Sequence, residues 1–147
     1  CVYHTTILLK SNENQRPPFD TPPPTHYNTV EKTFSAPAMV PFDEKIIDFL
    51  NDVSVEIMKR NNLTADTISY LLPHQANIRI INAVGNRMDL PEDKVLVNIE
   101  KFGNTTSATI PLLMWENQHK FKKGDNLILT SFGAGFSWGA IYVKWAI

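Results

Sequence analysis

Three short segments carry the residues with chemical potential. His74 stands in Pro73-His74-Gln75-Ala76-Asn77, Asn104 stands in Phe102-Gly103-Asn104-Thr105-Thr106, and two glycines flank Ala134 in Phe132-Gly133-Ala134-Gly135-Phe136. A neutral imidazole with its proton on Nε2 and an asparagine amide are both hydrogen-bond donors. Two such donors aimed at one carbonyl oxygen stabilise an enolate, a charge that exists only while a reaction proceeds. Backbone N–H groups in a glycine bend can serve a second oxyanion. A nucleophile is missing from this set.

Each segment also has a structural reading. His74 could be a hydrogen-bonded structural histidine. Asn104 precedes Thr-Thr-Ser and could cap a helix, since its side-chain oxygen can accept an orphan amide proton. The glycine segment could be a tight bend or a bulge. What favours chemistry is that all three follow predicted strands or approach their ends, where open parallel sheets bind ligands.

The elements that must hold these residues alternate. Residues 1–10 are rich in β-branched and aromatic types and predict a strand. Residues 11–30 predict a proline-rich surface loop, with five prolines between Pro17 and Pro24, because proline lacks a backbone donor. Ile46, Leu50, Val53 and Ile57 recur at helical spacing and predict a helix over about 43–60. Acidic residues begin it and Lys59 and Arg60 end it, as the helix dipole prefers, and Asn61 and Asn62 stop it. A short buried strand is expected from Ile68 to Leu72. A helix is expected over 77–88, with Ile78, Ile81, Val84 and Met88 on one side, then a strand from Val95 to Ile99. Residues 105–120 predict a further helix whose start Pro111 must kink or delay. Strands at Leu127–Phe132 and Ser137–Trp145 are joined too closely for a crossover and should form an antiparallel hairpin.

Such an alternation implies an α/β fold with a mixed, mainly parallel, five-stranded sheet and helices on both faces. The chain has 147 residues, 43% apolar and 20% charged, with a formal charge of −1. These values fit one soluble globular domain that can bury a core without metal or disulfide staples. Near-zero charge removes the simple electrostatic case for nucleic acid or an anionic membrane as partner. The single cysteine, Cys1, cannot form an intrachain disulfide, so oxidising export gains no support and a cytoplasmic setting is expected. A cysteine-rich zinc site is excluded. The longest charge-free run, Asn126 to Val143, is too polar and too broken by glycine for a membrane helix.

PHQAN at 73–77, KFGNTTSA at 101–108 and SFGAGFSWGA at 131–140, in this order and spacing, resemble the 3-oxoacyl-acyl-carrier-protein synthase III family. The likeness runs from about Asn62 to the end and is weaker over residues 1–61. It implies the C-terminal half of a thiolase-fold enzyme, one of two related βαβαβαββ halves. It also implies a decarboxylative Claisen condensation between an acyl thioester and malonyl-acyl-carrier-protein in fatty acid or related acyl synthesis. The family's triad is cysteine, histidine and asparagine. His74 and Asn104 match the latter two, whose implied role is to bind the malonyl thioester carbonyl while CO₂ leaves. Ala134 matches the position whose backbone amide belongs to the oxyanion hole, although the family has glycine there. Phe132 matches a phenylalanine that shields the triad, and its plain reading is core. Gly133 and Gly135 shape the loop. Arg79 matches an arginine of the carrier-protein docking surface, and its plain reading is a solvated charge.

Cys1 does not match the family nucleophile, which lies in the N-terminal half in an Ala-Cys-Ser/Ala-Gly context. The implied partners are therefore that N-terminal half, an acyl carrier protein and a coenzyme A thioester, with a homodimer in the full-length enzyme. No cofactor or metal is implied. This chain alone is expected to be inactive. Two other readings stay open: a non-catalytic partner subunit, and an acyltransferase of the same fold that does not decarboxylate. Residues 34–45, FSAPAMVPFDEK, depart from the family's usual stretch, so a different acyl donor also fits.

Overall fold

The computed structural model describes residues 4–11, 42–133 and 137–147. Of the loop expected over 11–30, Ser11 belongs instead to the first strand, His4–Ser11; Cys1, the rest of that loop, residues 34–41, Ala134, Gly135 and Phe136 lie outside the described residues.

The elements, in chain order, are β1 (His4–Ser11), α1 (Phe42–Arg60), β2 (Tyr70–Pro73), α2 (Ile78–Arg87), α3 (Ile99–Phe102), α4 (Thr109–Asn117), β3 (Asn126–Gly133) and β4 (Ser137–Lys144). Among the described residues the sheet has four strands in the order β1-β4-β3-β2. β2 pairs with β3 in parallel, from Tyr70 with Leu127 to Pro73 with Thr130. β3 and β4 form the expected antiparallel hairpin, and β4 also pairs antiparallel with β1.

Strand alternation splits the apolar residues between two cores. Leu71, Ile128, Ala140 and Tyr142 face α1 and α2, where they meet Ile46, Leu50, Val53, Ile57, Ile80 and Val84. Leu72, Leu127, Leu129 and Val143 face the other way, against Leu113 of α4 and Phe121. Helices therefore cover both faces, as the alternation of elements implies.

The stripe expected on α1 is the buried one. Val53 and Ile57 are fully buried, and the helix ends as Asn62 turns left-handed at φ 54°. The Leu63 N–H then returns to the Met58 carbonyl, a helix stop that suits asparagine because its short side chain tolerates this backbone. Across the sheet edge Lys10 of β1 pairs with Glu56 of α1 at 2.5 Å. Pro111 falls in the first turn of α4, where its missing N–H leaves no hydrogen bond broken. A 3₁₀ turn at Thr106–Ala108 precedes that helix and another at Gln118–Lys120 follows it. The expected single helix over 105–120 is thus three pieces.

Four further expectations need correction. The short strand begins at Tyr70 rather than Ile68, because residues 65–67 form a 3₁₀ turn that delays it. Ile78 is 38% exposed, and Ile80 takes its place in the core. Ile78 opens α2, and the buried face centres on Ile81 and Val84 one turn later. Among the described residues two of the three strand pairings are antiparallel, so this part of the sheet is mixed but not mainly parallel. The fifth strand, expected at Val95–Ile99, is reduced to one parallel bridge between Leu71 and Val95.

Pro73 explains that last change. After Leu96 N–H bonds to the Leu71 carbonyl at 3.0 Å, the parallel ladder would next need an N–H from residue 73, and proline has none. The buried side chain of Gln75 stands in. Its Nε2 donates to the Pro73 carbonyl at 2.8 Å and to the Leu96 carbonyl at 3.4 Å. Its Oε1 accepts from the Asn98 N–H at 2.9 Å and the Ile99 N–H at 3.1 Å. The chain at 98–99 is thereby released from the sheet and turns into α3.

Candidate active site

His74 follows β2 directly. Its N–H donates to the Thr130 carbonyl at 2.8 Å, which extends the parallel ladder by one bond and fixes the histidine at the carboxyl ends of β2 and β3. The imidazole is half-buried. Burial holds its pKa below the ordinary 6.5, since a charged ring there would lose hydration. Its Nδ1 lies 2.5 Å from the Oγ1 of Thr109, the first residue of α4.

Asn104 comes from a separate arm. Gln75, adjacent to His74, seats the start of α3 through the two N–H groups it accepts. Glu116 of α4 steadies the same segment by accepting from Asn98 Nδ2 at 3.0 Å and pairing with Lys101, contacts that hold its carboxyl below the usual carboxylate range. Gly103 then turns the chain at φ 66°, ψ −164°, a region where only glycine sits without strain. Asn104 is exposed. It does not cap α4 as the N-cap residue. Its Oδ1 instead accepts from the Thr106 N–H at 3.0 Å, two residues on. The oxygen of the amide is therefore occupied, which fixes the side chain and leaves the Nδ2 donors for a ligand.

The two arms meet through threonines. Thr109 Oγ1 donates to the Thr106 carbonyl at 3.1 Å, and the Thr106 N–H donates to Asn104. A continuous run of hydrogen bonds thus joins His74, Thr109, Thr106 and Asn104. Thr106 has φ 54°. A β-branched residue in that region is strained, and such strain persists only where surrounding bonds impose it. Here the bonds fall on both of its backbone polar groups.

The remaining site residues divide. Gly133 ends β3 opposite Ser137, at the same end of the sheet as His74. Ala134 and Gly135 lie outside the described residues. Phe132 stacks against Phe49, with centroids 6.4 Å apart, and Phe49 stacks on Trp138 at 4.2 Å. These contacts pack the partly buried Phe132 against the core beside α1. Arg79 is exposed near the start of α2, and its N–H is accepted by the cap residue Asn77 at 2.9 Å. Among the described residues, no three His, Cys, Asp or Glu side chains gather as metal ligands would.

Thr109, Thr106 and Gln75 were not singled out by sequence reasoning. The hydroxyl-rich run Thr105-Thr106-Ser107 before a helix signals capping, and nothing local says that the next threonine reaches a histidine 35 positions back. A glutamine two residues after Pro73 carried a faint signal, since a proline at a strand end cannot donate to the ladder.

An open groove of about 770 Å³ runs beside the site, between the start of α4 and the sheet. Ile110, Pro111, Met114, Leu129, Trp138 and Ile141 supply most of its apolar wall.

The fold is that of a thiolase-like half-domain. Residues 58–145 match the family described as 3-oxoacyl-[acyl-carrier-protein] synthase III C terminal, and the chain belongs to that family. It is 61% identical over 107 residues to beta-ketoacyl-[acyl-carrier-protein] synthase III of Porphyromonas gingivalis, covering 73% of this chain and 32% of that protein. It is also 61% identical over 99 residues to beta-ketoacyl-[acyl-carrier-protein] synthase III 2 of Bacteroides thetaiotaomicron, covering 67% and 30%. The crystal structure of 3-oxoacyl-(acyl carrier protein) synthase III from Pseudomonas aeruginosa superposes with a TM-score of 0.75 at 32% identity, over 96% of this chain and 44% of that one. The chain spans about a third of the length of the curated relatives it matches.

Proposed function

We propose that this chain is the C-terminal half of an enzyme that condenses an acyl thioester with malonyl-acyl-carrier-protein. The observation that carries this reading is the hydrogen-bonded run that ties His74 to Asn104, in a chain that belongs to the synthase III family.

In the reaction the malonyl carboxylate leaves as CO₂ and its electron pair passes to the thioester carbonyl as an enolate. Asn104 Nδ2 and a protonated His74 Nε2 are the donors for that oxygen, and their benefit is largest when its charge is fullest. The enolate carbon then attacks the acyl carbonyl held on a cysteine. A carbon–carbon bond forms, the acyl–sulfur bond breaks and the thiolate leaves. The cysteine is not in this chain, and we place it in an N-terminal half. That half would cover the apolar groove beside α4, which as it stands exposes the apolar surface of a binding face. The Ala134 amide is assigned to the second oxyanion, Gly133 and Gly135 to shaping its loop, and Phe132 to screening the site. Arg79 is assigned to docking the carrier protein, because it is exposed at the start of the helix that follows the histidine. A homodimer and a cytoplasmic setting complete the reading. Among the described residues no helix is long and apolar enough to cross a membrane.

The test uses the full-length gene product, malonyl-acyl-carrier-protein labelled at its free carboxyl, and acetyl-CoA. His74→Ala and Asn104→Ala should each abolish CO₂ release while leaving acylation of the protein, read by intact mass. A variant of either residue that decarboxylates at the wild-type rate overturns the assignment.

A further inference from the structure

The Thr109 hydroxyl has one proton and two neighbours. It lies 3.1 Å from the Thr106 carbonyl oxygen, which can only accept, and 2.5 Å from His74 Nδ1. Both contacts are hydrogen bonds in one arrangement alone: the hydroxyl donates to the carbonyl, and Nδ1 carries a proton and donates to the hydroxyl. The side chain that imposes this is 2% exposed, so water does not supply a substitute partner. Thr109 is also the link through which His74 is joined to the strained Thr106 and so to Asn104.

We propose that Thr109 is a positioning residue of the site, which fixes the orientation of His74 and holds the neutral ring as its Nδ1–H tautomer. The role in turnover rests on the condensing reading above, whereas the tautomer does not. This assignment corrects the expectation of a resting Nε2–H donor. The neutral ring presents a lone pair at Nε2 and becomes a donor there only after it gains a second proton. Asn104 Nδ2 is then the permanent donor of the pair and His74 the conditional one.

The experiment combines a spectroscopic and a kinetic readout on the full-length gene product labelled with ¹⁵N-histidine. His74 signals are assigned by difference against His74→Ala. Two-bond nitrogen–proton correlations at a pH where the ring is neutral should show Nδ1 protonated and Nε2 bare in the wild type. Thr109→Val keeps the shape but cannot accept from Nδ1, so it should shift the ring toward Nε2–H. Because the ring also loses the contact that orients it, and lost orientation outweighs a donor gained at Nε2, the rate of CO₂ release from malonyl-acyl-carrier-protein should fall about tenfold. Thr109→Ser keeps the hydroxyl and should retain both the wild-type tautomer and most of the rate. A wild-type ring protonated at Nε2, or a tautomer unchanged in Thr109→Val, overturns the proposal; the wild-type spectrum decides even if the valine variant does not fold. A switched tautomer with an unchanged rate overturns the role in turnover while leaving the condensing reading in place. If His74→Ala itself decarboxylates normally, the condensing reading fails, and the spectra still decide the tautomer.

Discussion

His74 of the β2 end and Thr109 of helix α4 share a hydrogen bond of 2.5 Å across 35 positions of sequence. The bond crosses from the sheet to the helix that covers one of its faces. Any motion of α4 against the sheet is therefore felt at the imidazole, and through Thr106 at Asn104. The site is a property of how α4 is docked as much as of the motif that contains the histidine.

Burial of His74 links stability to pH. The folded ring holds its proton less tightly than the unfolded one, whose pKa is near 6.5. Above that value both states are neutral and the native state bears no penalty. As pH falls below 6.5 the unfolded chain takes up a proton first, so stability falls until the folded ring also protonates. Urea unfolding of the full-length gene product between pH 7.5 and 5 should show this loss. His74→Asn, which does not titrate, should show a shallower loss. Equal slopes for the two proteins would show that His74 is not the linked group.

Gly85 is a packing site. A Cβ built on it would lie 2.7 Å from Val95 Cγ2, and valine is stiff about χ1. Gly85→Ala should gain about 1 kcal/mol of helix propensity and lose about 1–3 kcal/mol to overpacking. A net destabilisation near 1 kcal/mol is expected by chemical denaturation. Adding Val95→Ala should return most of the overpacking loss, and the double-mutant cycle isolates that coupling. A Gly85→Ala protein more stable than wild type would mean that the loop at Val95 yields freely.

Gln75 holds four backbone groups with one buried amide. Gln75→Leu preserves the volume and strands the Asn98 and Ile99 donors, each at about 1–3 kcal/mol. We expect a loss of about 3 kcal/mol, measured as a shift in the denaturation midpoint. The segment leading to Asn104 should loosen, seen as faster amide exchange at residues 98–103. A stability change below about 1 kcal/mol would show that water or a neighbouring group replaces the amide.

Patterns that recur along the chain were readable before any coordinates. The α1 stripe at Ile46, Leu50, Val53 and Ile57 is a repeat of one physical demand, burial of one face, and it survives unchanged. The positions of His74 and Gly133 at strand ends were readable for the same reason, because each follows a short apolar run. What escaped depends on single partners brought from afar. Val95 to Ile99 is apolar enough for a strand, and it fails because Pro73 cannot donate and Gln75 intervenes. Ile78 fits the helical spacing, yet its place in the first turn of α2 leaves it outside the core. Asn104 holds Thr106 through a local turn of the kind asparagine commonly makes, whereas the reach of Thr109 to the imidazole is a tertiary fact with no periodic trace.

The edge strand β1 has its register set entirely by β4, from His4 opposite Lys144 to Ser11 opposite Ser137. Loop closure over so long a stretch is entropically slow, and contacts of this kind govern folding rate more than final stability. During synthesis β1 must wait, without this partner, until β4 leaves the ribosome. Its exposed ladder groups are then a hazard for mispairing, and Lys10, which reaches α1 through Glu56, offers the strand an earlier and charged place to rest. Among the described strands, β1 and β4 lie side by side although they are far apart in sequence, so closing this sheet depends on β4.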